Sequence, residues 1–130
     1  MQYHPHTYQT RLKDFIIANR YAFLTVDMGL GKTVTTLTAV RELLEDYLEA
    51  SRVLVIAPKS VAENTWTSEC AKWDHLQHLR VSVVMGDETR RMKALATPAD
   101  IYVINRDNVA WLVKASVGWP FDTVIIDEST

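Results

Sequence analysis

Short apolar runs and longer segments of helical period alternate along this chain. Each apolar run has four or five residues and is apolar at nearly every position, which is typical of strands buried on both faces. The predicted strands cover residues 22–26, 53–57, 81–85, 101–104 and 123–126. The predicted helices cover residues 33–50, 60–73, 87–96 and 107–115. This alternation predicts an α/β fold in which helices cover both faces of a parallel sheet.

The segment 60–73 shows the helical period clearly. An apolar stripe with spacings of three and four residues contains Ala62, Trp66, Cys70 and Trp73. Ser60 at the start of the segment predicts an N-cap, and Glu63 completes a capping box. We therefore expect a helix that begins after Ser60 and buries the stripe, so that core packing accounts for its tryptophans.

Composition places the chain among ordinary one-domain proteins. Its 130 residues are 48% apolar and 23% charged, and the formal net charge is −2. This balance argues against nucleic-acid binding through bulk positive charge but permits a local basic patch. No apolar run approaches the ~20 residues of a membrane span, and the single cysteine, Cys70, excludes an internal disulfide. The sequence predicts a cytoplasmic protein with no membrane partner.

Two of the four glycines lie between the first predicted strand and the first predicted helix. The segment there contains Asp27, Met28, Gly29, Leu30, Gly31, Lys32 and Thr33. Glycines let the backbone curl so that several N–H groups point inward, and the helix N-terminus adds partial positive charge. Lys32 can then reach the β- and γ-phosphates of a nucleotide, while the Thr33 hydroxyl can ligate Mg²⁺. The segment predicts the phosphate loop of a P-loop NTPase, although Val26 stands where that motif usually has its first glycine.

Two carboxylates, Asp127 and Glu128, follow the last predicted strand directly. In a P-loop ATPase the first acid at such a strand end holds Mg²⁺, and a following Glu orients and deprotonates the attacking water. An acidic turn after a strand is common by itself, but its pairing with a phosphate loop predicts ATP hydrolysis. Lys32, Asp127 and Glu128 are therefore the candidate catalytic residues, and ATP and Mg²⁺ are the expected cofactors.

Together these motifs resemble the Swi/Snf-type branch of superfamily-two helicases, and the likeness covers nearly the whole chain. The string D-M-G-L-G-K-T at 27–33 resembles motif I of that branch. Tyr8 and Gln9 resemble the adenine-recognising glutamine motif, and Asp127 and Glu128 match the first half of the DEAD/DEAH box. Residues 55–60, followed by Trp66, Glu69 and Trp73, resemble motif Ia, and residues 102–106 resemble motif Ib. The likeness is greatest to the compact versions that bacteriophages encode.

The resemblance implies that residues 1–130 form the first RecA-like lobe of a DNA translocase or remodeller. Gln9 and residues 27–33 would bind ATP, and Lys59, Ser60 and Arg106 would contact duplex DNA. This first lobe would be incomplete after the acidic-box strand, and a second RecA-like lobe would come from residues absent here. The isolated chain is therefore expected to be inactive. In the family layout a later strand lies between strands 22–26 and 123–126, which predicts a gap in the sheet there.

Two other functions stay open from the residues alone. One is a simple P-loop NTPase or kinase, and the other is a non-catalytic nucleotide-binding scaffold. Cys70, His75 and His78 match no common zinc spacing, and a buried thiol explains Cys70 more simply. Residues 90, 91 and 93 are basic, and they predict the solvated side of a helix rather than a DNA contact.

Overall fold

The computed structural model describes residues 24–26, 32–46, 52–115 and 120–127. The strands are β1 Leu24–Val26, β2 Val53–Ala57, β3 Val81–Val84, β4 Ile101–Asn105 and β5 Thr123–Asp127. The helices are α1 Lys32–Arg41, α2 Lys59–Lys72, α3 Glu88–Ala96 and α4 Val109–Ala115. A π-helical turn, Glu42–Asp46, extends α1, and a 3-10 turn, Arg106–Asn108, precedes α4.

The strands form one parallel sheet in the order β1-β5-β2-β4-β3. The central strand β2 pairs with β5 on one side and with β4 on the other, so that Val53 lies between Thr123 and Ile101. Nearly every residue of these three strands is buried, because helices cover the sheet on both sides. The predicted α/β fold, a parallel sheet with helices on both faces, is confirmed.

The gap predicted next to the first strand is wrong. β1 pairs directly with β5, with Val26 opposite Asp127. Two facing strand edges with unpaired N–H and C=O groups would cost free energy in the interior, and direct pairing satisfies those groups. The carboxyl ends of β1 and β5 therefore lie side by side.

Alternating side chains of strands β2 to β5 pack into two separate apolar cores. On one face, which we call the α1–α2 face, Val53, Val55 and Val103 pack with Leu37 and Trp66 from the helices. On the opposite face, the α3–α4 face, Leu54, Tyr102 and Ile104 pack with Leu112 of α4 and with the flanking residue Phe121. This division follows from the two-residue period of a strand, which sends successive side chains to opposite sides.

The predicted N-cap of α2 is wrong by two residues. The cap is Pro58, in an extended conformation and without a side-chain hydrogen bond, and its carbonyl accepts the first helical bond from the Ala62 N–H at 2.8 Å. Proline tolerates this position because the first residues of a helix do not need their N–H groups. Ser60 is thus already helical and exposed, and it is available to solvent rather than engaged as a cap.

Candidate functional site

Of the residues predicted to handle nucleotide, the structure describes Lys32 and Thr33 at the start of α1 and Asp127 at the carboxyl end of β5. β1 and β5 end together at that edge, with Val26 opposite Asp127, and α1 begins at Lys32. In open parallel sheets, ligands bind beyond the carboxyl ends of the strands, where the following loops and helix N-termini meet. That Lys32, Thr33 and Asp127 form one nucleotide site at this edge stays a prediction.

Several predicted nucleotide-binding residues and one predicted catalytic residue lie outside the described residues. These are Gln9, Asp27, Met28, Gly29, Leu30, Gly31 and Glu128. Lys32 is the first residue of α1. Thr33 is the second and is buried, with 6% of its surface exposed. The positive end of the α1 dipole therefore lies next to Lys32 and Thr33, an arrangement that favours a bound anion.

Asp127 is the best-defined member of the predicted site. It ends β5 and is completely buried. The indole Nε1–H of Trp66 donates to Asp127 Oδ2 at 3.2 Å, and Arg106 Nη2 donates to the Asp127 backbone carbonyl at 2.7 Å. The end of β5 is thus held through both its side chain and its backbone, and these two contacts come from segments far apart in the sequence.

Trp66 is a residue whose role the sequence analysis missed. The apolar stripe correctly predicts that it is buried in the core, where it packs on the α1–α2 face. The hydrogen bond to Asp127 joins residues 61 positions apart, so no local sequence pattern predicts it. The one available signal is chemical, since a buried indole usually finds an acceptor for its N–H.

The three predicted DNA contacts lie along the same edge of the sheet. Lys59 and Ser60 open α2 directly after β2, Arg106 follows β4 directly, and all three are exposed. Because β2 and β4 are neighbours with Ala57 opposite Asn105, the two segments emerge side by side. Arg106 also contacts Asp127, so the predicted DNA edge and the predicted Mg²⁺ residue are in direct contact.

A cleft of about 600 Å³ opens next to Lys59 at this edge. Its walls carry both charges, with Lys59, Arg90 and Arg91 against Glu63 and Asp107. Its polar walls also include Asn105 and Asn108, whose side chains are joined by a hydrogen bond of 2.6 Å. Gly86 shapes the turn after β3 with a φ of 95°, a conformation that favours glycine. The mixed charge is suited to a polar ligand rather than to a purely anionic one.

The basic residues of α3 are only partly the solvated face that the sequence predicts. Arg90 and Lys93 are exposed, but Arg91 is half-buried. Its guanidinium stacks on Trp111 at 4.5 Å and donates to Asn108 Oδ1 at 2.7 Å. Arg91 thus attaches α3 to α4, which the helical pattern alone does not reveal.

Of the residues set aside as zinc ligands, Cys70 is buried and the two histidines bond to other side chains. Burial, reinforced by the charge of Glu69, raises the pKa of the Cys70 thiol to about 12, so this thiol is protonated at neutral pH. His75 Nε2 bonds to Thr38 Oγ1 at 2.8 Å, and His78 bonds to Glu45. Among the residues that the structure describes, no group of three or more His, Cys, Asp or Glu side chains is arranged to hold a metal ion.

A protein-family match covers most of the chain. Residues 9–129 match the SNF2-related domain. The chain belongs to the SNF2-related family. The predicted Swi/Snf-type resemblance is thereby confirmed, and the chain is a member of a helicase-like ATPase family.

The chain is also similar to individual proteins and to a solved structure. The chain is 38% identical over 128 residues to protein p41 of Acyrthosiphon pisum secondary endosymbiont phage 1, covering 97% of the chain and 28% of that protein. It is 36% identical over 93 residues to the CHD3-type chromatin-remodeling factor CHR7 of Arabidopsis thaliana, covering 66% of the chain and 7% of the factor. The structure of the Sulfolobus solfataricus SWI2/SNF2 ATPase core in complex with dsDNA superposes with a TM-score of 0.72 at 26% identity, covering 98% of the chain and 26% of that core.

This SNF2-related chain therefore spans about a quarter of the length of the phage protein and of the archaeal core. None of the helices in the described ranges is long and apolar enough to cross a membrane.

Proposed function

We propose that this chain is the nucleotide-binding part of a DNA-stimulated ATPase whose hydrolysis drives movement along duplex DNA. The observation that carries the proposal is the buried carboxylate of Asp127 at the carboxyl end of β5, next to β1 and on the edge where α1 begins at Lys32. A buried acid at that place has the chemistry of the metal-holding residue in P-loop ATPases. Membership in the SNF2-related family supports the same assignment.

In the proposed mechanism, each residue at the carboxyl edge has one role. Lys32 neutralises charge on the transferring phosphate, Thr33 and Asp127 hold Mg²⁺ through oxygen atoms, and Glu128 orients and deprotonates the attacking water. Gln9 and residues 27–31 bind the adenine and the phosphates. The donor set at Thr33 and Asp127 is a hydroxyl and a carboxylate, and hard oxygen ligands are those that Mg²⁺ prefers.

The proposed partners are duplex DNA and a second RecA-like lobe. Lys59, Ser60 and Arg106 are exposed on adjacent segments at one edge of the sheet, and two of them carry a positive charge that suits phosphates. The archaeal core, which is similar in fold, was solved with dsDNA. The second lobe would contribute the remaining side of the ATP site, and the protein would act in the cytoplasm of a bacterial or phage-infected cell.

The test is an ATPase assay of the complete protein with and without duplex DNA. We expect turnover that rises with duplex, and we expect Lys32→Ala to lower it by about 10²- to 10³-fold because the transferring phosphate loses its main cationic contact. Lys93→Ala is the matched control, since Lys93 is exposed on α3.

Each other outcome points to a different function. DNA-independent turnover would indicate a simple NTPase, and an absence of turnover with intact nucleotide binding would indicate a scaffold. Wild-type turnover by Lys32→Ala would contradict the role assigned to that lysine.

A further inference from the structure

The hydrogen bond between Trp66 and Asp127 joins two completely buried side chains. Trp66 lies in the middle of α2, and Asp127 ends β5. A buried carboxylate needs donors to offset the loss of water, and a buried indole N–H needs an acceptor. The contact at 3.2 Å therefore satisfies both groups at once.

The position of the donor is fixed by packing rather than by the hydrogen bond itself. Among the described residues the Trp66 indole is the largest fully buried side chain, and it is surrounded by the apolar core of the α1–α2 face. A ring enclosed in this way has little rotational freedom, since protein interiors are close-packed. The N–H consequently points at one place, and Oδ2 of Asp127 occupies that place.

A second contact fixes the backbone of the same residue. Arg106 Nη2 donates to the Asp127 carbonyl at 2.7 Å. The backbone position and the rotation of the carboxylate are then both determined by groups outside β5. When one carboxylate oxygen is held, the orientation of the other oxygen is set as well.

We propose that Trp66 is a positioning residue for Asp127. It holds the Asp127 carboxylate in the orientation in which this carboxylate binds the Mg²⁺ that accompanies the nucleotide. The inference rests on the proposed function, in which Asp127 is a Mg²⁺ residue. Partners that orient a ligating carboxylate typically change metal affinity by about 10- to 100-fold when they are removed. In this role Trp66 acts through Asp127, whose side chain it contacts.

The chain supplies a matched control in Trp73. This second tryptophan follows α2 directly, and its indole N–H also donates to a carboxylate, Glu69 Oε2, at 2.6 Å. The substitutions Trp66→Phe and Trp73→Phe each remove an indole that bonds a carboxylate. Only Trp66→Phe removes the donor to Asp127.

The experiment measures binding of a fluorescent, non-hydrolysable ATP analogue to the complete protein, first in EDTA and then across a Mg²⁺ titration. Mg²⁺ is expected to increase the affinity of the protein for the analogue. Trp66→Phe is expected to raise the Mg²⁺ concentration at which half of that increase is reached by about tenfold or more. Its affinity in EDTA is expected to stay within about twofold of wild type, because the phosphate loop is intact. Trp73→Phe is expected to match wild type in both conditions.

An isosteric variant separates orientation from packing. Replacing Trp66 by 3-benzothienylalanine puts sulfur in place of the N–H while keeping the shape of the ring. We expect this variant to keep the thermal stability of wild type more closely than Trp66→Phe and to show the same weakened response to Mg²⁺. A wild-type Mg²⁺ response in this variant would overturn the inference.

Asp127→Asn distinguishes failure of the inference from failure of the proposed function. Loss of the Mg²⁺ response in Asp127→Asn, together with a normal response in the Trp66 variants, would refute only the role of Trp66. A normal response in Asp127→Asn would refute the Mg²⁺ role of Asp127 and with it the inference. As a readout that needs no metal, the NMR resonance of the Trp66 indole N–H is expected to shift in Asp127→Asn, and an unchanged resonance would show that the bond does not form.

Discussion

The two faces of the sheet are held by different kinds of interaction. On the α1–α2 face, the two helices and the π-helical turn after α1 insert large apolar side chains, including Leu37, Leu43 and Trp66, all of them fully buried. On the α3–α4 face, α3 has no buried residue and α4 has one, Leu112. The first face is held mainly by apolar burial, whereas the second relies more on individual polar contacts.

Those polar contacts on the α3–α4 face are specific. Ser82 Oγ donates to the Ala94 carbonyl at 2.8 Å, which ties β3 to α3. Tyr102 Oη donates to the Thr97 carbonyl at 2.7 Å, and Arg91 joins α3 to Asn108 and Trp111. Such contacts give less net stability than apolar burial, since each replaces a bond to water. The carboxylate of the candidate site is thus fixed from the more strongly packed face, through Trp66.

Truncation of a buried leucine on each face gives the largest expected effect. Leu37→Ala and Leu112→Ala should each lower the free energy of unfolding by about 2–5 kcal/mol, the usual range for such changes. We expect Leu37→Ala at the upper end, because its neighbours come from two long helices that cannot close the cavity. α4 has seven residues and can shift to fill the space. Urea denaturation of both variants measures the difference, and a larger loss for Leu112→Ala would reverse the ranking of the two faces.

Removal of the cap of α3 gives a smaller effect on the more polar face. Asp87 is the N-cap residue, and its Oδ1 accepts the Arg90 N–H at 2.8 Å. Asp87→Ala should lower the free energy of unfolding by about 1 kcal/mol. The exposed neighbour Thr89 supplies the control, since Thr89→Ala should change stability by less than about 0.5 kcal/mol. Equal effects of the two substitutions would show that the cap does not stabilise α3.

The smallest expected effect is a pH dependence of the α1–α2 face. His75 donates from Nε2 to Thr38 Oγ1, because the Thr38 hydroxyl itself donates to the Val34 carbonyl at 2.7 Å. Burial, followed by the positive charge of Arg41, lowers the pKa of His75 below its usual 6.5, while Asp74 opposes this shift and His78 adds to it. The folded protein thus favours neutral His75.

The sign of the pH effect follows from that direction. Below about pH 6.5 the unfolded chain takes up a proton more readily than the folded protein, so the free energy of unfolding falls as the pH falls. The contribution of His75 is present above that pH and is lost on acidification. Denaturation of wild type and His75→Gln between pH 8 and 5 measures it, with a flatter profile expected for the variant. Parallel profiles would assign the acid sensitivity to other groups.

Most of the fold was predictable from local patterns. Continuous apolar runs gave strands whose bounds differ from the structure by at most two residues, because burial on both faces requires apolar side chains at nearly every position. Motif I and the acidic pair indicated the SNF2-related family, because the chemistry of phosphate binding limits the residue types at a strand-to-helix turn. The N-cap of α2 was mispredicted because the helix begins directly after Pro58, two residues before the helix start that Ser60 suggested.

The candidate site was predictable only in part. The position of Asp127 at a strand end follows from the sequence, since the apolar run stops there. Its burial and its bonds to Trp66 and Arg106 do not, because these partners lie 61 and 21 positions away. The nucleotide roles of Lys32, Thr33 and Glu128 stay predictions.

The sequence by itself determined which segments become strands and helices, the family of the chain and the residue types available for phosphate and metal chemistry. These are local properties, set by side-chain period and by short motifs. Only the tertiary structure decided that β1 pairs with β5, that Arg91 joins α3 to α4, and that a core tryptophan holds the carboxylate of Asp127. Contacts of that kind depend on how distant segments pack, and packing is a property of the assembled core rather than of any local stretch of chain.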